Sequence, residues 1–274
     1  MTAFTLTDSH CHLDFSELTP QRDQLLAQCY QAGIKRIIVP AVSPKNWQPV
    51  IELSQYNTAL NNNHASNAPQ ILPCVGIHPW YLSGLTYQDI DKLSQTIQQH
   101  HTKIVAIGET GIDGKIAKQQ ANLAKQVAFF VAHIHLANQY KLPLIVHHRS
   151  SHPLIYAQLK QTPANYGGII HAFSGSYQQA KHYIDLGFKL GIGGTISYQR
   201  AKKTINTLRK LPLNSIVLET DAPAMPLSGF QGQANSPLKV VNVFQLLCQQ
   251  RSESPEEIAK AIECNVDNVL GTRY

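Results

Sequence analysis

The chain of 274 residues contains no uninterrupted apolar run near the roughly 18 positions that span a bilayer. Its opening MTAFTLTDSH lacks the basic flank and apolar stretch of a secretory leader. A membrane-spanning or classically secreted chain is therefore not expected. Cysteine is too sparse and too irregular for a framework: Cys11, Cys29, Cys74, Cys248 and Cys264 are odd in number and include no C-x-x-C pair. Neither a disulfide lattice nor a thiolate zinc site is expected, and a reducing cytoplasm is implied. With Gly 16 and Pro 15 the composition is neither fibrous nor low-complexity, and 43% hydrophobic residues exclude disorder as the main state. No repeat of roughly 20 to 50 residues is visible, and no linker divides the chain, so one domain over residues 1–274 is expected. The one polar low-complexity patch, Asn61 to Asn67, reads as a surface loop. No heptad or self-complementary stripe calls for an obligate protein partner. The net charge of +6 is compatible with polyanions but common among ordinary enzymes.

What the chain does have is a recurring short β-rich run followed by an amphipathic stretch. The runs are Phe4 to Thr7, Arg36 to Val39, Ile71 to Val75, Ile104 to Ile107, Leu144 to Val146, Gly168 to Ile170, Phe188 to Ile192 and Ile216 to Leu218. Helices are expected over Pro20 to Ala32, Lys118 to Tyr140 and Tyr177 to Leu186, with a helical tail over Leu238 to Val269. Eight β-then-α units make an α/β protein with a (β/α)8 TIM barrel. The competing doubly wound sheet would usually open with a glycine-rich dinucleotide turn, whereas here the first strand ends in Asp8-Ser9-His10-Cys11-His12.

Functional side chains of such barrels sit where strands end on the C-terminal face. Here the strand ends carry His10 and His12, Glu109, His147, His171, and Glu219-Thr220-Asp221. Four imidazoles and two carboxylates on one rim are the inventory of a two-metal hydrolytic site. His10 and His12, two apart on an extended segment, point the same way. His133 and His135 share that spacing inside a helical stretch, where residues two apart diverge, and are expected to be structural. His148 should point opposite to His147, and His64, His100, His101 and His182 fall in polar loops or on helix surfaces. Glu109, after an apolar strand, would be a costly unpaired charge unless a metal, or a base such as Lys103 or Lys115, faces it. Asp221 invites the same reading, against that of an N-cap before Ala222-Pro223. Gly193 and Gly194 suit a tight turn.

These residues fall in stretches that resemble a known family. D-S-H-C-H-L-D from Asp8, G-I-H-P around His78, G-E-T-G-I-D around Glu109, V-H-H-R around His147, H-A-F-S-G-S from His171 and L-E-T-D-A-P ending at Pro223 look like the TatD family of metal-dependent deoxyribonucleases. The likeness runs from Asp8 to the C-terminus, and the tract Ala222 to Pro237 most resembles the YjjV branch. The resemblance implies a barrel of the amidohydrolase superfamily that cleaves phosphodiesters, with divalent ions held by His10, His12, Glu109, His147, His171 and Asp221. Thr110, Ile112 and His148 depart from the usual family pattern without removing a ligand.

The expected chemistry is hydrolysis of DNA, single-stranded by preference, by water activated between two divalent ions, Mg, Mn or Zn, with cobalt and nickel also suited to imidazole. Glu109 would bridge the ions, His10 and His12 hold one, His147 and His171 the other, and Asp221 accept the water proton. His78 or Arg149 would contact a phosphate oxygen, and Trp80 and Tyr81 could stack a base. Two other readings compete: an amidohydrolase-type reaction on a small ester, amide, lactone or phosphotriester, and a catalytically idle metal-binding scaffold. Glu109 and His147 stand where many binuclear relatives carry a carboxylated lysine, which favours the nuclease.

Overall fold

The computed structural model describes residues 4–61 and 68–271. Eight parallel strands pair in chain order: β1 (Leu6–Asp8), β2 (Ile34–Pro40), β3 (Gln70–Val75), β4 (Ala106–Asp113), β5 (Leu144–Arg149), β6 (Gly168–Ile170), β7 (Phe188–Ile192) and β8 (Ile216–Leu218). The seam between β8 and β1 is closed by Ser9 N–H to Leu218 O at 2.8 Å and Asp221 N–H to His10 O at 2.9 Å, with a parallel bridge between Cys11 and Ala222. The architecture is the (β/α)8 barrel. Between and after the strands lie α1 (Arg22–Gln31), α2 (Trp47–Asn61), α3 (Tyr87–Gln99), α4 (Gly114–Gln120), α5 (Leu123–Tyr140), α6 (His152–Gln161), α7 (Tyr177–Asp185), α8 (Lys202–Leu208), α9 (Val240–Cys248) and α10 (Pro255–Leu270). Among the described residues no helix is long and apolar enough to cross a membrane. Of the expected Asn61 to Asn67 loop, Asn61 ends α2 and residues 62–67, with His64, lie outside the described residues.

Three expected elements change on folding. The stretch from Lys118 to Tyr140 is two helices, because Ala121 turns left-handed at φ 50° and ends α4 before Asn122 starts α5. The C-terminal tail also divides, at Ser254-Pro255, where Ser254 and Glu257 form a reciprocal capping box that opens α10. Strand β4 runs six residues past Ile107, so Glu109 sits within the strand rather than at its end. Its register against β5 shifts between Ile107 and Thr110, which lets the segment bend inward and still rejoin its partner. Gly111, at φ 141°, is required there, since a Cβ would collide with the His147 carbonyl.

The barrel interior holds Ile38, Leu72, Cys74, Ile145, Ile169 and Val217, stacked on Val266, Val269 and Leu270 of α10. This helix plugs the end where strands begin. Because side chains alternate along a strand, the inward series Ile145, Ile169 and Val217 continues two residues later as His147, His171 and Glu219. Apolar filling thus gives way to ligand groups by the strand period alone.

At the plugged end the Arg36 guanidinium spans three partners: Asp267 at 2.5 Å, Glu263 at 2.7 Å and Thr7 Oγ1 at 3.0 Å. Thr7 in turn donates to Glu263 at 2.8 Å, tying α10 to β1 and β2. Arg36→Ala removes several charge-assisted hydrogen bonds and is expected to cost about 2 kcal/mol of unfolding free energy in urea titration. An unchanged midpoint would mean the network adds nothing to α10 docking.

Candidate metal centre at the barrel mouth

Glu109 is 2% exposed, and its two carboxylate oxygens face different sets of imidazoles. Oε2 lies 3.3 Å from His10 Nε2 and 3.5 Å from His12 Nε2. Oε1 lies 3.1 Å from His147 Nδ1, 3.3 Å from His78 Nε2 and 3.6 Å from His171 Nε2. Asp221 Oδ1 completes the first set, 3.6 Å from His10 Nε2 and 3.5 Å from His12 Nε2. All six residues expected as ligands, together with His78, therefore meet around one carboxylate. Neither Lys103 nor Lys115 forms an ion pair with Glu109, so the buried charge is met by imidazoles alone among the described residues. Asp221 adopts a left-handed φ of 56°, which aspartate tolerates, and its carboxylate contacts the two histidines rather than capping a turn.

The protons on these rings follow from what each second nitrogen touches. His12 Nδ1 lies 3.1 Å from the Pro40 carbonyl and donates to it, which turns Nε2 toward the centre. There Nε2 sits 3.3 Å from His10 Nε2, the expected meeting of two rings on a strand-like segment. His171 Nδ1 stands 3.1 Å from Glu219 Oε1, which also accepts from the Ala172 N–H at 2.6 Å, so Nε2 of His171 is turned to the centre. His147 Nε2 lies 3.3 Å from Asp113 Oδ2, which turns Nδ1 toward Glu109. Ring nitrogens and carboxylate oxygens thus converge on one small volume, and a cation that displaces the ring protons fits this donor set. His10, His12 and Asp221 form one group whose ligand atoms lie within 4.8 Å of one another, and His78, Glu109 and His147 form another. His78 differs from its neighbours: its Nδ1 accepts from the Trp80 N–H at 3.1 Å, so its proton sits on Nε2 and that atom is a donor, not a metal ligand.

Charge and burial oppose one another at every member. Burial would raise the Glu109 carboxyl, but His78, His10 and His171 hold it well below the usual range. Asp221 is likewise lowered, its burial outweighed first by His171 and then by the hydrogen bond to His12. His171 is pushed up to about 10, burial being overcome by Glu219, Asp221 and Glu109. Burial lowers His78 to about 4, so it is neutral near neutral pH.

Asp113 was not among the expected site residues. It accepts from the Trp80 indole N–H at 2.7 Å, contacts His147, caps α4 through Lys115 N–H and Ile116 N–H, and lies 3.8 Å from Arg149. Its signal was its parity: residues 109, 111 and 113 share one face of β4. Glu219 orients His171 and forms a third close group with it and His10, and Gly191 leaves it room, since a Cβ there would strike Glu219 Oε2.

The other histidines divide as expected. His133 is fully buried, donating from Nδ1 to Phe129 O at 2.7 Å and accepting the Ile77 N–H at 3.0 Å, while His135 two residues on is exposed. His148 turns from His147 toward Phe173 and Tyr183, each ring 5.9 Å away. Gly193 caps a short turn at Gly194–Ser197. Above the centre opens a cavity of about 470 Å³ lined by Glu109, His147, His171, Asp221, Arg149 and the exposed Trp80 and Tyr81, among others.

Comparison with known proteins converges on one family. The family model described as TatD related DNase matches residues 7–271. The metal-dependent hydrolase YjjV of Escherichia coli K12, itself uncharacterized, is 38% identical over 255 residues, 93% of each chain. Its crystal structure superposes with a TM-score of 0.87 over 96% of this chain and 97% of that one. A Danio rerio relative, tatdn3, named as a proposed deoxyribonuclease, is 30% identical over 80% of each chain. A TatD family hydrolase from Entamoeba histolytica, 18% identical, shares the fold with a TM-score of 0.83 over 98% of this chain and 99% of its own. A match from β1 to the end of α10, joined to a centre whose histidines and carboxylates suit an ion, places this chain in the TatD family as a metal-dependent hydrolase.

Proposed function

We propose that the protein is a deoxyribonuclease that hydrolyses phosphodiester bonds of single-stranded DNA with two divalent ions, Mg, Mn or Zn. The observation that carries this reading is the division of the Glu109 oxygens, one facing His10 and His12 and the other His147 and His171, so that one carboxylate could serve two ions. The name of the Danio rerio relative supports the DNA substrate. Held by His10, His12 and Asp221 on one side and by His147 and His171 on the other, with Glu109 between, the ions would supply positive charge to the phosphate and lower the pKa of water.

The residues of the chain do the rest. Asp221, ionised at neutral pH because its carboxyl is held low, accepts a proton from the attacking water. As the water oxygen bonds to phosphorus, the opposite P–O bond breaks with its electron pair on the sugar oxygen, which takes up a proton from solvent while Asp221 returns the one it accepted. Neutral His78 offers Nε2–H to a non-bridging phosphate oxygen, with the Trp80 backbone N–H fixing its tautomer. Arg149 brings a guanidinium to the rim. Trp80 and Tyr81, 45% and 43% exposed, present ring faces for a nucleobase, and the indole is held by its bond to Asp113.

Cleavage of an end-labelled single-stranded oligonucleotide tests the reading. Magnesium or manganese should support stepwise or internal scission, chelation should abolish it, and Glu109→Ala should lower kcat about a thousandfold, in the range of lost transition-state stabilisers. If all samples were inert although the wild type held two ions, the substrate would belong among small esters or amides instead.

Ion binding itself makes two further expectations. Glu219→Gln should weaken zinc or manganese affinity about tenfold in isothermal titration, the usual effect of disturbing a residue that orients a ligand histidine. Equal affinities would mean that Glu219 does not set the His171 ring. Because His171 without an ion is pushed up to about 10, it carries a proton near neutral pH that an ion must displace. Apparent affinity should therefore rise with pH between about 6 and 9, by up to about tenfold per unit for each displaced proton, with proton release seen as a buffer-dependent heat. A flat profile would show that His171 stays out of the coordination.

A further inference from the structure

Beside the metal cavity, and sharing His148, Arg149 and Ser174 with it, lies a second cavity of about 440 Å³ between the ends of β5 and β6 and helices α4, α6, α7 and α8. Lys115, Arg149 and Lys203 line it, and no carboxylate does. Lys115 and Lys203 form no ion pair among the described residues, and both are exposed at the chamber rim. The contrast with the basic groove at the opposite end of the barrel is direct. There Lys35, Arg36 and Lys260 stand among as many carboxylates, Glu256, Glu263 and Asp267, and Arg36 pairs with two of them. Two buried ring nitrogens of residues lining the second cavity, His148 Nε2 and His152 Nδ1, have no hydrogen-bond partner. Gln179 spends its carboxamide oxygen on Ser176 N–H, leaving its NH2 donors.

Two lysines without a carboxylate partner, spare polar groups and a wall shared with the metal cavity define a site for an anion attached to the substrate. We infer that this cavity receives the phosphate of the nucleotide next to the scissile one, so that the substrate is recognised as a chain carrying at least two phosphates. The inference rests on the phosphodiester reading above and extends it from the bond cleaved to the length of strand held. Arg149, common to both cavities, stands between the two phosphates, with Lys115 and Lys203 serving the outer one alone.

The probe is a fluorescent phosphorothioate tetranucleotide, which resists cleavage, titrated with the ion-loaded protein at several salt concentrations. The double variant Lys115→Ala/Lys203→Ala is compared with Lys118→Ala/Lys202→Ala, which removes two exposed lysines outside the cavity. The cavity variant should bind about tenfold more weakly, and its slope of log affinity against log salt should fall by about 0.7 to 1, the contribution of one phosphate contact. The control variant should lose much less affinity and keep its slope. Equal losses in the two variants, or no binding by the wild type, would overturn the inference. Cleavage of the matching phosphodiester strand is measured in parallel. Cleavage with lysine-independent binding removes the subsite and leaves the nuclease. Lysine-dependent binding without cleavage removes the nuclease and leaves a two-phosphate site.

Discussion

The structure turns on a single buried carboxylate. Glu109 sits in the barrel mouth almost without solvent, where an isolated negative charge would be expensive, and it is met by five imidazoles rather than by a lysine or arginine. Imidazoles differ from the cations of an ordinary buried ion pair because they can surrender their protons and still offer lone pairs. A salt bridge would neutralise the charge permanently. A ring of histidines leaves it available to an ion, which is why the same feature that threatens stability defines the chemistry.

The histidines at this centre are not equivalent, and the group facing each ring's second nitrogen decides which is which. Pro40 O accepts from His12 Nδ1 and Glu219 from His171 Nδ1, and each ring then turns its other nitrogen inward. At His78 the relation is reversed, since a backbone N–H occupies one nitrogen and leaves the other as a donor. Residues of one type, packed around one carboxylate, are thereby sorted into candidate ligands and a hydrogen-bond donor by what each ring's second nitrogen meets.

Much of this was legible before folding because barrels convert strand order into geometry. Seven of the eight strands were found within two or three residues, and the histidines and carboxylates that follow apolar runs meet as their parity requires. What escaped had local causes. The break between α4 and α5 rests on a left-handed alanine, a cap with no glycine to announce it. The extension of β4 depends on pairing with β5 across a register shift, which no propensity within 104–107 contains. Asp113 was hidden for the same reason: once the strand was ended at Ile107, its place on the inward face with Glu109 could not be counted. His133, by contrast, was separable from the site by period alone, and its two backbone hydrogen bonds explain why a buried imidazole is kept there.

The plug formed by α10 and Arg36 lies at the opposite end of the strands from the centre, with the apolar interior between them. The plug that seals one end and the side chains that act on substrate therefore lie at opposite ends of the strands, although the backbones of His10 and Asp221 also close the seam between β8 and β1. Sequence drift at the closed end alters how long the molecule survives, and drift in the loops of the open end alters what it accepts. A lineage built on this scaffold can exchange substrates without renegotiating its own folding.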